Sequence, residues 1–300
     1  MKKLIPIILL VTTGLYPMDR KAEKVYENRD AHFKLKKNTN WGNTIFHGYN
    51  SISGGKSPKV RNSLTLRGPI FLENDTYLHL KNIIIISHCN PFKTRNSKAK
   101  LIFENVTVIL TKGNFVWKDG KFEITADSFL DVIGAENSES NFYYRSVEKS
   151  TIKSNATLTL RNFSVFHYDP IKDEPDRLHF EDRKSKMVLF DTVFSCKKKI
   201  KITGQIHFEN SHEKKATVAF KENFDVAGAG VRIKNGLLKF LENVPEGDDA
   251  ENSEDENSEM SLESSGTSDD STHDASEDIA DEEDFNSSDE DEYELLEANF

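Results

Sequence analysis

The chain has 300 residues, with 40 Lys and Arg against 50 Asp and Glu, a formal net charge of −10. That average conceals a split: residues 246–300 hold 24 acidic residues and no Lys or Arg, so residues 1–245 carry +14. A uniformly acidic globule is excluded, and the apolar residues needed for a core are concentrated ahead of position 246.

The chain opens with Lys2 and Lys3 before an apolar run from Leu4 to Val11. A charged start followed by a short apolar stretch predicts a signal peptide over residues 1–18. The address it implies is export: secreted, periplasmic or at the cell surface. The run is too short for a membrane span, and the longest later one, Ile83–Ile86, is strand-sized. Residues 19–39 read as an N-terminal segment or cap.

Residues 40–245 repeat themselves. Leu78–Ile86, Leu101–Ile109 and Leu158–Phe166 each hold a short alternating strand, a charged residue, an Asn and a second β-rich strand. The Asn falls at Asn82, Asn105 and Asn162; Asp191 takes its place in one copy, and Asn74, Asn210, Asn223, Asn235 and Asn243 extend the series. Alternation of Val, Ile, Phe and Thr over four to six residues signals strands. Asn tolerates the left-handed conformation and bonds its own backbone, so it suits a sharp bend between strands. Asn82 and Asn105 are 23 residues apart, Asn162 and Asn210 are 48 apart, and Asn210 and Asn235 are 25 apart. A coil of about 24 residues, stacked on its neighbours, explains all three spacings. Stacked bends would set Asn over Asn, and the 18 Phe residues before position 246 would form interior stacks.

The Leu-x-Leu-x-Asn-Val-x-Val corners resemble the right-handed parallel β-helix of the pectin-lyase-like superfamily. The Phe-x-x-Asn pattern at Phe71–Asn74, Phe220–Asn223 and Phe240–Asn243 is similar to repeats of chlamydial polymorphic outer-membrane proteins. The resemblance covers residues 40–245 and implies an all-β, right-handed parallel β-helix, with a β-sandwich as the alternative. The companion Gly-Gly-Ala-Ile repeat is missing, with Gly54-Gly55 and Ala227–Gly230 as weak echoes, and no transporter barrel follows. His88–Lys98, Asn137–Ser150 and His167–Lys186 contain Pro91, Pro170 and Pro175 among polar residues and read as loops between coils.

Enzymes of that superfamily commonly use clustered Asp residues, sometimes with Ca²⁺, so the resemblance directs attention to Asp. Residues 1–247 contain no Asp-Asp pair. Asp127 and Asp131 are four apart and are expected to share a strand face; Asp173, Glu174 and Asp176 are expected to face water. General acid–base work needs two groups with separated environments. The nine His residues show no metal-ligand spacing, and His207 and His212 are expected on strand surfaces. Ser53-Gly54-Gly55-Lys56 lacks the frame of a phosphate loop, and no nucleophile elbow occurs. No catalytic, cofactor-binding or metal-binding residue is assigned.

Cys89 and Cys196 lie 107 residues apart, or four to five coils. At about 4.8 Å per coil, on the order of 20 Å separates them, so they are expected to be free and buried. Sequons occur at Asn74, Asn105, Asn155, Asn162 and Asn286; at Asn105 and Asn162 the following Thr or Ser belongs to strand composition. Basic residues gather at Lys34–Lys37, Lys93–Lys100 and Lys197–Lys201, and Tyr143, Tyr144, His167 and Tyr168 are expected in loops, where aromatic rings stack on sugars. These features suit polyanions such as acidic glycans, with no signature of specific nucleic-acid recognition.

Residues 246–300, rich in Glu, Asp and Ser, are expected to be a disordered tail, because like charges repel and few apolar groups offset chain entropy. Its charge predicts contact with the basic body of the same chain. Ser271, Ser287 and Ser288 each precede an acid by three residues, the pattern an acidophilic kinase reads. The function these residues suggest is an exported, non-enzymatic, adhesin-like scaffold that contacts glycans or host surface proteins. The alternatives are a polysaccharide lyase or hydrolase, and a secreted host-directed effector.

Overall fold

Alternation organises the strands. In Ser63–Leu66, Phe129–Ile133 and Gln205–Glu209 every second residue is buried and its neighbours are partly exposed. Successive side chains of a strand point to opposite sides, so each segment has one dry and one wet side. The computed structural model describes residues 26–135, 140–211, 216–226, 230–235 and 237–241. Its strands stack as a right-handed parallel β-helix of about eight turns. The pairings run parallel, where the hairpins of a sandwich would run antiparallel.

Each turn supplies three segments in a fixed order. Tyr26–Arg29, His32–Lys34 and Thr39–Trp41 begin the first, second and third faces. They pair with Thr44–His47, Tyr49–Ser53 and Ser63–Leu66 of the next turn. Among the described residues, rungs are thus present from Tyr26 onward, ahead of residue 40. Down the third face, registers step from Trp41 to Leu66 and on to Ser87, then from Ile86 through Ile109, Ile133, Arg161, Phe190 and Glu209 to Lys234. These steps are 25, 21, 23, 24, 28, 29, 19 and 25 residues, centred on the period read from the Asn spacings.

The corners carry the fold. Among the described residues, eleven non-glycine residues have positive φ, and all but Phe220 are Asn or Asp. Asn82, Asn105, Asn162, Asp191 and Asn235 behave as expected, while Asp30, Asp75, Asp119, Asp127 and Asn155 are corners the Asn pattern passed over. Asn74, Asn210 and Asn223 do not adopt the left-handed conformation. Asn223 closes a 3-10 turn, Lys221–Asn223, and its amide donates to the Lys197 carbonyl at 3.1 Å.

Asn162 also belongs to a different corner from Asn82 and Asn105. Tyr77–Ser87 and Lys100–Leu110 bend at Asn82 and Asn105 from the second face into the third. Asn162 instead follows Thr157–Arg161 and turns the chain from the third face into the first. Its neighbour one turn back is Gly134, where a Cβ would stand 2.5 Å from the Asn162 carbonyl oxygen. Gly54 has the same role beneath Asn82, with 2.6 Å to its carbonyl oxygen. Glycine serves at these two places because the stacked corner leaves no room for a side chain.

Inside, Phe115, Phe142, Phe166 and Phe194 stand in register along the first face, with successive ring centroids 4.6, 5.3 and 5.1 Å apart. Trp117, Tyr144 and Tyr168 form a second buried column. Burying one side chain of this size contributes about 1.5–3 kcal/mol. Three segments expected as loops contain rungs: Phe92–Thr94 lies within His88–Lys98, Asn141–Arg145 within Asn137–Ser150, and Leu178–Phe180 within His167–Lys186. Strands this short, flanked by polar residues and proline, leave little alternation to read. The first face consists of a four-stranded and a six-stranded sheet. Asn90 joins them, its amide donating to the Val116 carbonyl at 2.9 Å and its amide oxygen accepting from the Val116 N–H at 3.2 Å.

The signal peptide at 1–18, the acidic segment 246–300 with Asn286, and His212, Asn243 and Ala227–Ala229 lie outside the described residues.

Candidate functional site

The interior is filled by packed side chains, and most charged groups lie on the outward sides of the three faces. On the second face several charges pair off. Glu104 reaches Lys81 at 2.7 Å and His79 at 3.1 Å; Lys100 meets Glu123 at 2.9 Å, and Lys153 meets Glu181 at 2.8 Å. Lys149 and Asp176 are 2.5 Å apart, and that bond, more than any other influence, holds the Asp176 carboxyl below its usual range. The Lys93–Lys100 cluster is therefore dispersed: Lys93 faces outward on the first face, Lys98 lies 4.0 Å from Asp75, and Lys100 is bound to Glu123. Tyr49 and Tyr77 stack 4.9 Å apart on the same face, with Tyr49 61% exposed.

The first face gathers two features that lie far apart in the sequence. Tyr143 and His167 occupy adjacent rungs, Asn141–Arg145 and Val165–Tyr168, and both point outward. Their rings stack 4.7 Å apart and within 7° of parallel. The Arg145 guanidinium lies 5.1 Å from the centre of the Tyr143 ring, within cation–π range. Lys118 stands in register with Arg145 one turn below. Lys197 follows the next rung, Val193–Cys196, close enough to act on His167. Burial, then Lys197 and Arg145, push the His167 imidazole down to about 4. At neutral pH the His167 ring is therefore uncharged, and the stack is an aromatic strip bordered by cations.

Tyr144 and Tyr168 take the opposite side of the same strands. Both are fully buried, stacked 5.5 Å apart, and burial raises both phenols. Tyr144 donates to the Arg177 carbonyl at 2.6 Å. The four residues expected in loops thus lie on strands, and alternation sends two outward and two into the core.

Asp127 and Asp131 are not brought together. Asp127 is an exposed corner residue with φ 57°, and its carboxylate accepts from the Asn155 amide at 2.7 Å. Asp131 faces outward on the third face and accepts from Arg161 Nε at 3.0 Å. The corner between them removes the shared face that spacing alone suggests. Burial raises the Asp131 carboxyl, opposed by Arg161 and then Arg61. Asp173 and Glu174 are exposed, and Glu174 pairs with the buried Arg177.

Cys89 and Cys196 are both free; Cys196 is buried as expected, while Cys89 is partly exposed. His207 lies outward on the third face, half-buried. Among the described residues no group of three His, Cys, Asp or Glu is placed to hold a metal ion. No described helix is long and apolar enough to cross a membrane. Asn74 and Asn155 are exposed sequons, Asn162 is an exposed corner, and Asn105 is half-buried in the corner stack.

Sequence reasoning singled out Tyr143, His167 and Lys197 but missed Arg145, Lys118 and Tyr49. The signal for Arg145 was present, two places after Tyr143 on an alternating strand. Comparison with protein-family models, with curated proteins and with solved structures found no match to this chain.

Proposed function

We propose that the chain is an exported, non-enzymatic binding scaffold of adhesin type that engages acidic glycans along the outward side of its first face. The observation that carries this reading is the in-register Tyr143–His167 stack bordered by Arg145, Lys118 and Lys197. Aromatic rings present flat apolar surface to a sugar, and the cations supply attraction for its acidic groups. A rigid ladder holds these groups before ligand arrives, which lowers the ordering cost of binding. The pectin-lyase-like likeness of the corners supports a polysaccharide partner by fold analogy alone.

A lyase or hydrolase is the competing reading, and Asp131 is the residue that favours it. Its environment raises its carboxyl, as acid–base chemistry requires, yet the nearby Asp127 lies around a corner. Affinity electrophoresis in gels cast with a sulfated or a carboxylated polysaccharide tests the binding reading. Wild-type protein is expected to be retarded at low salt and released as salt rises. Arg145→Gln with Lys197→Gln is expected to weaken retardation at least fivefold. Equal retardation of wild type and variant would overturn the assignment to this face.

A further inference from the structure

The third face holds a second charged cluster, built across four turns. Between Tyr49–Ser53 and Ser63–Leu66 the chain forms a loop closed at its neck, where Asn62 N–H donates to the Gly54 carbonyl at 2.8 Å and Ser57 bridges Val60. Asn62 also anchors the neck through its amide, which donates to the Leu35 carbonyl at 2.9 Å. Arg61 leaves this neck and crosses the face. Its Nη1 donates to Thr107 Oγ1 at 2.9 Å, and its guanidinium lies 5.3 Å from the centre of the Phe129 ring. One rung beyond Thr107 stands Asp131, and two rungs beyond stands the strand that carries Arg161. Arg161 gives Nε to Asp131 at 3.0 Å and lies 5.4 Å from the centre of the Phe190 ring.

Asp131 is thus paired with Arg161 and lies within reach of the charge of Arg61. A single arginine suffices to neutralise Asp131, and Arg161 makes the direct bond. Arg61 adds a further positive charge, and burial alone works against its ionised form. Holding an uncompensated charge partly out of water is costly, and a structural pin could use a neutral donor to reach Thr107. Asp131 takes Nε of Arg161, so that bond leaves the Nη pair, the fork of the guanidinium, uncommitted to it, and the side chain is 40% exposed. Such forks match the oxygens of carboxylates and sulfates two at a time.

We propose that Arg61 and Arg161 form an oxyanion-binding site on the third face, with Asp131 as the positioning residue that fixes the Arg161 fork. The ligand is a carboxylate or sulfate group that approaches the outward side of the third face at Arg161, whose side chain is 40% exposed. This site does not depend on the first-face reading, and either can fail alone.

The test is titration of the full chain with sodium acetate and, separately, sodium sulfate, at ionic strength held constant with chloride. The readouts are melting temperature and the arginine side-chain ¹H–¹⁵N resonances. A saturable rise in melting temperature is expected, with shifts at Arg61 and Arg161. Response to acetate alone identifies a carboxylate ligand, response to sulfate alone a sulfate ester, and either supports the site. Arg61→Gln with Arg161→Gln is expected to weaken the response at least tenfold. Arg161→Lys keeps the charge and its pairing with Asp131 but lacks the fork, so a loss of at least threefold is expected even if the double variant fails to fold. No saturable response to either anion in the wild type, or a full response in Arg161→Lys, would overturn the proposal.

Discussion

The side-chain amide of Asn105 donates to the amide oxygen of Asn82, 3.1 Å away and one turn below. Both residues hold positive φ, 56° and 47°. One residue type thereby meets two needs. It adopts the left-handed bend at low cost, and its amide satisfies the amide of the next bend. Because parallel turns repeat the same corner at the same height, identical side chains meet and join.

Asn105→Ala removes that bond and leaves a β-carbon in the left-handed region, so a loss of about 1–3 kcal/mol is expected. Asn105→Gly should restore the backbone part and retain only the hydrogen-bond loss. Urea unfolding of the three proteins measures both. Equal losses for Ala and Gly would show that the conformation is not what selects Asn here.

Phe166 stands between Phe142 and Phe194 in the inner column, with rings on both sides. Phe166→Ala opens a cavity that neighbours in register cannot fill, and about 3–5 kcal/mol should be lost. Phe166→Leu should cost less than half of that. A loss below about 1 kcal/mol for the Ala variant would contradict a packed interior.

Thiol labelling separates the two cysteines. Cys196 is buried, its thiol gives a hydrogen bond to the Ala219 carbonyl at 3.2 Å, and burial pushes it up to about 12. Cys89 is partly exposed. A thiol reagent should modify one cysteine in the native protein at neutral pH and the second only after denaturation. An intramolecular Cys89–Cys196 disulfide would contradict the stacking.

His167 sets an acid limit. Its folded-state value of about 4 lies below the ordinary 6.5, so the unfolded chain binds the proton more readily. Stability is unaffected by this group above pH 6.5 and declines as pH falls from 6.5 towards 4. Partial exposure of the ring moderates the size of the effect. His167→Gln should flatten the decline over that interval in denaturant titrations. An unchanged slope would show that other groups govern it.

Much of this was readable from residue order, and the failures have physical causes. The Asn82 and Asn105 corners and the period were legible because a bend that needs the left-handed region leaves few residue choices. Asn162 was aligned with them because one local code serves any corner, and only register says which face follows. Phe92–Thr94 escaped notice because three residues of strand between polar turns carry almost no periodicity. Tyr143 and Tyr144 were grouped as one feature although adjacent residues of a strand face opposite ways. Arg61 gave no local signal at all, since its partner Thr107 lies 46 residues ahead and two rungs away.

The most direct test of the first-face account is to mix purified protein with a panel of acidic and neutral polysaccharides. Equilibrium binding is measured for the wild type and for Tyr143→Ala with Lys197→Gln, and the recovered polysaccharide is analysed by mass spectrometry. The account predicts saturable binding to acidic members that weakens in the variant, with polysaccharide recovered intact. Absence of binding to every acidic member at low salt, or new oligosaccharide ends that vanish when the protein is first heat-denatured, would contradict it.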